Sequence, residues 1–299
     1  GNIYTQITNP TSGAFEARVA ELEGGSAGVA VASGMAAITY ALLTLAHSGD
    51  HIVSTTSLYG GTHTLFTHTF KNYGIEASLV NTDDLDAVRN AIQPNTKAIF
   101  IETIGNPEGN GADIEGLAAV AHEHGIPLVV DNTFATPYLC RPIEFGADIV
   151  VHSATKFIGG HGTSIGGIIV ESGKFDWKQN DKFKGLSEPD DSYHGLVFAD
   201  AFGPGAFVTK VRASLLRDTG ASISPFISFL LVQGLESLHV RMDRHVENAQ
   251  KIAEYLAEHD KVEWVEFAGL KSSPYYELKE KYLPKGAGAV FTFGVKGGY

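Results

Sequence analysis

The chain has 299 residues, of which 43% are hydrophobic and 19% charged, and this composition predicts a folded protein with one large domain and part of a second. Its 34 acidic and 22 basic residues give a formal charge of −12, which disfavours attraction to nucleic acid or to anionic lipid. Because no apolar run reaches about 18 residues, we expect no membrane-spanning segment.

A single cysteine, Cys140, excludes an internal disulfide framework and favours a reducing compartment, so we expect a cytoplasmic protein. Residues 1–4 contain neither an initiator methionine nor the charged and apolar segments of a secretory signal. We therefore expect the sequence to begin inside a longer chain and to end, at Tyr299, within its last domain.

Predicted strands and helices alternate along the first part of the chain. A capped amphipathic helix at 11–23 precedes an apolar strand at 27–32, and a break at 33–35 leads into a mostly apolar helix at 36–46. Strands at 51–54, 75–80, 98–102 and 128–131 follow, with helices at 85–92 and 114–124. This alternation predicts an α/β protein with a mostly parallel sheet covered by helices on both faces.

Two nearly continuous apolar runs, 149–151 and 166–170, predict central strands, because such strands are buried on both faces. They bring the predicted sheet to seven strands, and the loop that carries Lys156 lies between them. Residues 175–202 are polar and aromatic, with an exposed loop at 187–192. Helices at 226–236 and 241–257 and strands at 262–267 and 290–295 predict the start of a small α+β domain.

Ligands of open α/β sheets bind at the carboxyl ends of the strands. Glycine and polar residues follow several predicted strands here, and we expect them to form one pocket: 33–35, Asn106, Asp131 and 153–156. Gly34 lets a ligand approach the backbone, and the helix after it directs free N–H groups at an anion such as phosphate. Ser153 and Thr155 add hydroxyl donors. The alternative for 33–35 is a plain turn between strand and helix.

An acid and an amine, Asp131 and Lys156, point to the cofactor. A carboxylate that closes a buried strand needs a partner, which is either a protonated pyridine nitrogen or, alternatively, a helix end or a magnesium ion. Lys156 lies between apolar strands and beside glycines that leave room for a flat ring, so we expect a buried, neutral amine. Together they predict pyridoxal 5'-phosphate held as a Schiff base on Lys156.

Tyr59 and Asn106 are candidates for the walls of this pocket. Tyr59 follows the strand at 51–54 and offers a ring that stacks on a pyridine, although core packing explains it equally well. Asn106 offers an amide to the phenolic oxygen of the cofactor or, alternatively, forms a turn before the next proline. His122 and His124 lie two residues apart on a predicted helix and face different sides, so we expect no metal site.

The chain resembles the Cys/Met-metabolism pyridoxal-phosphate enzymes, which have the aspartate-aminotransferase fold, or fold type I. Residues 131–133 (DNT) and 153–156 (SATK) carry this resemblance, which covers nearly the whole sequence. Residues 102–107 (ETIGNP) and 188–195 (EPDDSYHG) are similar to the O-acetylhomoserine sulfhydrylase branch of the family.

The resemblance implies a role for each site residue. Lys156 forms the Schiff base, Asp131 pairs with the pyridine nitrogen, and Tyr59 stacks on the ring and assists departure of the leaving group. Asn106 faces the phenolic oxygen and the substrate. The phosphate is implied to lie at the turn and among the hydroxyl groups already named, which are Ser33, Gly34, Met35, Ser153 and Thr155.

The implied activity is a γ-replacement, in which O-acetyl-L-homoserine and sulfide or methanethiol give L-homocysteine or L-methionine and acetate. A cystathionine or methionine γ-lyase, or a cystathionine γ-synthase, remains an alternative, because these enzymes differ mainly in which group attacks or leaves. A catalytically incomplete fragment with a binding or assembly role is the alternative outside this enzyme class.

The resemblance also implies an organisation and an assembly. Residues 1–10 end an N-terminal arm, 11–222 form the cofactor-binding domain, and 223–299 form a linking helix and the start of a small domain. Tyr4 is implied to reach the phosphate of a neighbouring subunit, with a homodimer as the smallest active unit and a homotetramer as the assembly. Gln6 stands where the family has an arginine and lacks its charge and planar fork. The substrate-carboxylate arginine is expected beyond Tyr299.

Overall fold

The computed structural model describes residues 2–298, and Gly1 and Tyr299, the ends of the predicted first and last segments, lie outside the described residues. The strands, numbered in chain order, are β1 Ala27–Val31, β2 His51–Thr55, β3 Glu76–Val80, β4 Thr96–Glu102, β5 Leu128–Asp131, β6 Ile149–Ser153, β7 Gly167–Glu171, β8 Val262–Glu266 and β9 Thr292–Val295. The first seven form one sheet in the spatial order β1-β7-β6-β5-β4-β2-β3.

Most neighbours in this sheet run parallel. The pairs β2–β3, β2–β4, β4–β5 and β5–β6 are parallel, whereas β7 runs antiparallel to both β6 and β1. The predicted mostly parallel, seven-stranded α/β sheet is therefore confirmed. Strands β6 and β7 each have a neighbour on both sides, as their continuous apolar sequences predict.

Helices cover the sheet, and six of the fourteen α-helices within residues 2–298 begin and end within three residues of the predicted bounds. The α-helices are α1 Pro10–Glu23, α2 Gly34–Leu45, α3 Gly60–Thr64, α4 Phe70–Asn72, α5 Leu85–Ala91, α6 Ile114–Glu123, α7 Thr136–Leu139, α8 Lys184–Ser187, α9 Phe198–Phe202, α10 Ala206–Val211, α11 Arg217–Thr219, α12 Pro225–Glu236, α13 Leu238–Ala257 and α14 Tyr276–Tyr282. Helix α1 shows the local signals that set such boundaries. The Asn9 side chain accepts a hydrogen bond from the N–H of Thr11, and Gly24 ends the helix with a φ of 73°.

The other eight α-helices were not predicted, and four of these eight belong to two continuous helical stretches. Helix α3 continues through a π-helical turn, Leu65–Thr69, into α4, and α10 continues through a second one, Arg212–Leu216, into α11. The first stretch is rich in glycine, threonine and histidine, which have low intrinsic helix propensity. Its helical form depends on burying Phe66 and Phe70 against the sheet, which is a tertiary effect that local periodicity does not reveal.

The apolar side chains of β5, β6 and β7 lie at the centre of the main core and are fully buried. A smaller apolar cluster, around Ala253 and Phe267, packs between α13 and the segment that follows β8. Strands β8 and β9 lie within the predicted strands at 262–267 and 290–295, and they pair antiparallel in a separate two-stranded sheet, a pairing that was not predicted. Within residues 2–298, no helix combines the length and the apolar character that a membrane crossing requires.

Candidate active site

A cavity of about 380 Å³ opens where β1, β2, β4, β5 and β6 end. Nine of the ten residues predicted to bind the cofactor line it, namely Ser33, Gly34, Met35, Tyr59, Asn106, Asp131, Ser153, Thr155 and Lys156. The tenth, Tyr4, does not line the cavity of its own chain and is 64% exposed. Apolar side chains such as Ile104, Phe134 and Ile165 complete the walls.

One end of the cavity is formed by the first turn of α2. The Ser33 hydroxyl accepts a hydrogen bond from the N–H of Ala36 at 3.0 Å and thereby caps the helix. The N–H groups of Gly34 and Met35 have no partner among residues 2–298, as expected at a helix start. A Cβ at Gly34 would lie 2.5 Å from the Cβ of Ser153, so only glycine allows α2 to approach β6 this closely.

Asp131 lies at the floor, at the carboxyl end of β5. Its Oδ1 accepts hydrogen bonds from the Thr133 hydroxyl at 2.5 Å and from the Thr133 N–H at 3.0 Å. Burial raises the pKa of Asp131, and these two donors and the nearby His152 oppose that rise by favouring the anion. The side chain is therefore a fixed acceptor whose other oxygen remains for a ligand.

Lys156 follows β6 in the turn that begins at Ser153. Its side chain lines the cavity but is exposed in this single chain, so the expected burial of the amine is wrong for the chain alone. The flanking strands are buried, yet the turn itself projects beyond their ends. The guanidinium of Arg241 holds this turn, because it donates to the carbonyl of Phe157 at 2.6 Å and to that of Gly234 at 2.7 Å. The lysine backbone is thereby attached to α12.

The two predicted hydroxyl donors differ in their present hydrogen bonds. The Thr155 hydroxyl accepts from the N–H of Gly166 at 3.1 Å and so connects the two ends of the loop that contains Lys156. The Ser153 hydroxyl has no hydrogen-bond partner among residues 2–298 and lies beside Gly34. Of the two, Ser153 is the donor free for an anion at the α2 terminus.

Glu102 is a site residue that the sequence analysis did not assign. It ends β4, lines the cavity and is only 7% exposed, and its Oε1 accepts a hydrogen bond from the N–H of Tyr59 at 2.7 Å. Tyr59 directly precedes α3, and its ring is 49% exposed at the rim. Two sequence signals marked Glu102: it closes a predicted strand, and it begins the stretch 102–107 that resembles the sulfhydrylase branch.

The pKa of Glu102 lies well above the ordinary value for glutamate. Burial is the main cause, and the negative charge of Asp131 adds to it, whereas the N–H groups of Tyr59 and Asn106 act in the opposite direction. Glu102 and Asp131 are register partners on the parallel strands β4 and β5. The two carboxyl groups therefore interact across one wall of the cavity.

A buried polar pair lies on the helix side of β6. Nε2 of His152 lies 2.5 Å from Oε1 of Glu23, and both side chains are fully buried. The side-chain amide of Asn132 donates to the same carboxylate oxygen at 2.9 Å. This pair joins the end of α1 to the strand residues directly before the turn that carries Lys156.

The N-terminal segment folds back on its own chain. The Gln6 amide donates to the carbonyls of Arg217 at 3.0 Å and Leu216 at 3.3 Å, at the start of α11. Tyr4 is exposed two residues earlier. Gln6, at the position of the family's arginine, is therefore engaged by backbone carbonyls.

The polar groups that line the cavity fit pyridoxal phosphate. Unpaired N–H groups at the start of a 12-residue helix, with a free serine hydroxyl beside them, suit a phosphate dianion. A partly buried carboxylate suits a pyridinium N–H, and an amine on the same cavity suits an aldehyde. Asn106 and Tyr59 supply an amide and an aromatic face on the remaining walls. Within residues 2–298, no cluster of three or more metal-ligating side chains is present.

Comparison with known proteins gives one family. The sequence profile of the Cys/Met metabolism PLP-dependent enzymes matches residues 1–299. The chain is 52% identical over 298 residues to the homocysteine/cysteine synthase of Saccharomyces cerevisiae, with 99% of this chain and 67% of the relative covered. It is 51% identical over 303 residues to the O-acetyl-L-homoserine sulfhydrylase of Corynebacterium glutamicum, with 100% of this chain and 69% of the relative covered.

Solved structures of similar sequence have the same fold as this chain. A Campylobacter jejuni protein named as an O-acetylhomoserine (thiol)-lyase, solved with N'-pyridoxyl-lysine-5'-monophosphate, superposes with a TM-score of 0.96 at 44% identity. The alignment covers 99% of this chain and 74% of that one. The O-acetylhomoserine sulfhydrylase of Wolinella succinogenes gives a TM-score of 0.86 at 40% identity, covering 96% and 80% of the two chains. The fold is therefore that of the type I PLP-dependent enzymes.

Proposed function

This chain belongs to the Cys/Met metabolism PLP-dependent enzymes, and from that premise we propose that it catalyses a γ-replacement on O-acetyl-L-homoserine. The bond between Cγ and the acetyl oxygen breaks, acetate leaves with the electron pair, and sulfide or methanethiol forms a carbon–sulfur bond at Cγ. The products are L-homocysteine or L-methionine and acetate. The oxidation state of the substrate carbon skeleton does not change overall, so no external oxidant or reductant is needed.

The observation that carries this proposal is the convergence of an amine, an acid and an anion cradle on one cavity. Lys156, Asp131 and the start of α2 come from three separate segments of the chain, and each lies at the end of a different strand. Pyridoxal phosphate combines an aldehyde, a ring nitrogen and a phosphate ester in one flat molecule, and an amine, an acid and an anion cradle would hold these three groups together.

When bound, pyridoxal phosphate supplies an electron sink that stabilises negative charge on the substrate carbons. Asp131 keeps a proton on the pyridine nitrogen, which strengthens that sink. Lys156 would hold the cofactor through Nζ and, as a free amine, would take the Cα proton of the substrate and then assist removal of a Cβ proton. Tyr59 covers the ring and offers its hydroxyl to the departing acetate.

The walls of the cavity favour these steps. Ile104 and Phe134 shield one side from water, which strengthens the interactions of Lys156 and Asp131 with the reacting groups. Asn106 donates its amide to the phenolic oxygen of the cofactor or to the substrate. Gly34, Met35 and Ser153 hold the phosphate, with Ser33 and Thr155 fixing the turns around it through the hydrogen bonds described above.

Borohydride reduction tests the central assignment. The unaltered protein, loaded with pyridoxal phosphate and reduced, is expected to carry a pyridoxyl group on the peptide that contains Lys156, detected by mass spectrometry. Lys156→Ala is expected to lose this adduct and at least about 10³-fold in rate. Lys271→Ala, which changes an exposed lysine that does not line the cavity, is the control. An adduct on the original peptide of the Lys156→Ala protein would overturn the proposal.

Product analysis separates the γ-replacement from its neighbours. With O-acetyl-L-homoserine and sulfide, we expect acetate and homocysteine in equal amounts. Release of an α-keto acid and ammonia from cystathionine or methionine would indicate a γ-lyase, and formation of cystathionine with cysteine as the nucleophile would indicate a cystathionine γ-synthase. Failure to bind pyridoxal phosphate in an absorbance titration would favour the non-catalytic role.

We also propose a homodimer as the smallest active unit, within a homotetramer. Tyr4 and Ile3 are exposed on the N-terminal segment, and Tyr59 and Ile165 are exposed at the cavity rim, which leaves aromatic and apolar groups for a second copy to cover.

Light scattering tests the assembly. Mixing inactive Lys156→Ala with weakened Tyr4→Ala subunits tests the shared site: activity above that of either parent is expected if Tyr4 serves the neighbour, and no recovery would contradict it.

A further inference from the structure

Two carboxyl groups, not one, face the cavity from neighbouring strands. Glu102 and Asp131 end β4 and β5 at matched positions of a parallel pair, so both side chains point to the same face. Among residues 2–298, no lysine, arginine or histidine lies within ion-pair distance of either carboxyl group. Two negative charges on neighbouring strands of the cavity repel each other, so the neutral form of one of the two carboxyl groups is favoured.

Contacts distinguish the two groups. Asp131 receives both an O–H and an N–H donor from Thr133 on one oxygen, and its second oxygen accepts no hydrogen bond among residues 2–298. Glu102 instead holds the backbone of Tyr59, and the N–H of Asn106 also interacts with it. Glu102 therefore touches the two segments that present the stacking ring and the amide, and the mechanism above gives it no proton to transfer.

We propose that Glu102 is a positioning residue of the cofactor site: as a neutral carboxylic acid, it anchors the backbone segments of Tyr59 and Asn106 and leaves the carboxylate charge in the cavity to Asp131. This inference rests on the proposed function, because it assigns Asp131 to the pyridine nitrogen. The other titratable side chains that line the cavity are Tyr59, Asp131 and Lys156.

The neutral form has a consequence for the stability of the protein without cofactor. Burial, reinforced by Asp131, holds the pKa of Glu102 well above its usual range in the folded state. When the pKa of an acid is higher in the folded than in the unfolded protein, the acid stabilises the fold fully below its unfolded pKa, which is about 4.3 for glutamate. This stabilisation is lost as the pH rises toward the pKa of the folded state. Replacing Glu102 by glutamine removes that loss, because the amide stays neutral at every pH.

The test compares Glu102→Gln with Glu102→Ala. Glutamine keeps an acceptor for the Tyr59 N–H, so we expect its affinity for pyridoxal phosphate at pH 7 to stay within about threefold of the unaltered protein. Alanine leaves that N–H without its partner, so we expect affinity to fall about tenfold or more. If glutamine weakens binding as much as alanine does, the negative charge of Glu102 is needed and the proposal is wrong.

A second measurement needs no cofactor. In the apo protein, the difference in Tm between Glu102→Gln and the unaltered chain is expected to increase in favour of glutamine from pH 5 to pH 8, on the order of 2 °C or more. In an Asp131→Asn background this increase is expected to shrink, because the repelling charge is gone. If the difference in Tm is the same at pH 5 and pH 8, the assignment of Glu102 as a neutral acid is wrong. The hydrogen bond from the Tyr59 N–H would then have only a structural role.

The two proposals fail separately. A borohydride adduct that survives in Lys156→Ala removes the proposed function, but the apo stability profile of Glu102→Gln still reports whether this carboxyl group is neutral. Conversely, an intact adduct on Lys156 combined with a flat pH profile removes only the role of Glu102. The apo Tm of each variant also shows that it folds, so weak cofactor binding is not confused with unfolding.

Discussion

The Thr133 hydroxyl lies between Asp131 and β6: it donates to Oδ1 of Asp131 at 2.5 Å and accepts the N–H of Ser153 at 2.9 Å. One side chain thus fixes the acid of the site against the strand that leads to the lysine turn. Its own backbone N–H adds a second donor to the same carboxylate oxygen. The position of the acid therefore depends on a residue that does not itself need to touch the substrate.

Thr133→Val removes this hydroxyl while keeping the shape of the side chain. A hydrogen bond to a charged group contributes about 1.5–3 kcal/mol, so we expect affinity for pyridoxal phosphate to fall about 10- to 100-fold. Thr133→Ser retains the hydroxyl and serves as the control, with binding near that of the unaltered protein. Equal affinity in the valine and serine variants, measured by absorbance titration, would show that the hydroxyl does not hold Asp131.

Gly34→Ala tests the close approach of α2 to β6. Its Cβ would lie 2.5 Å from Cβ and 2.7 Å from Cα of Ser153, and neither atom belongs to a flexible side-chain end. We expect a loss of about 1–3 kcal/mol in the free energy of unfolding, together with weaker phosphate binding. Gly60→Ala is the control, because nothing lies within 4 Å of its added Cβ. Denaturant unfolding that finds the two variants equally stable would contradict the packing argument.

Glu23→Ala breaks the buried pair with His152. Removing one partner leaves the imidazole and the Asn132 amide buried without their acceptor, so we expect a loss of about 3–5 kcal/mol in unfolding free energy. Glu247→Ala breaks a pair with Lys251 on the exposed face of α13 and is expected to change stability little. Thermal unfolding of both variants measures the contrast, and comparable Tm losses would argue against a special role for the buried pair.

Glu171→Gln gives a pH test independent of the cofactor. Burial raises the pKa of Glu171 to about 8, although the N–H groups of Val208 and Phe207 at the start of α10 favour its anion. Its contribution to stability is therefore complete below about pH 4.3 and is lost as pH rises through about 8. We expect the stability of the glutamine variant, relative to the unaltered chain, to increase by at most about 1.4 kcal/mol per pH unit in this window.

Unfolding free energies at pH 5, 6.5 and 8 check this prediction. Glutamine has one acceptor oxygen where Glu171 offers two, so a constant loss of about 1 kcal/mol at every pH is expected beside the pH-dependent gain. Only the change with pH reports the titration of Glu171. A difference that stays constant from pH 5 to pH 8 would mean that the buried carboxyl group is ionised throughout this range.

Much of the fold was predictable because its signals are local. The apolar run before Asp131 and the break at Gly34 predict strand ends, and the carboxyl ends of strands in an open sheet converge whatever the details of packing. The residues that line the cavity therefore follow from spacing and from residue type. The same reasoning missed the helix through Phe66, since its sequence forms a helix only when that ring is buried.

The sequence by itself determined the alternation of strands and helices, the chemistry offered at the strand ends, and the lysine and acid on which the proposed reaction depends. Only the tertiary structure decided that β7 runs antiparallel between β1 and β6, that Glu23 meets His152, and that Glu102 lies beside Asp131. These are contacts between segments far apart in the chain, and the energies that fix them, from burial and from charge, depend on three-dimensional neighbours that a linear pattern does not contain.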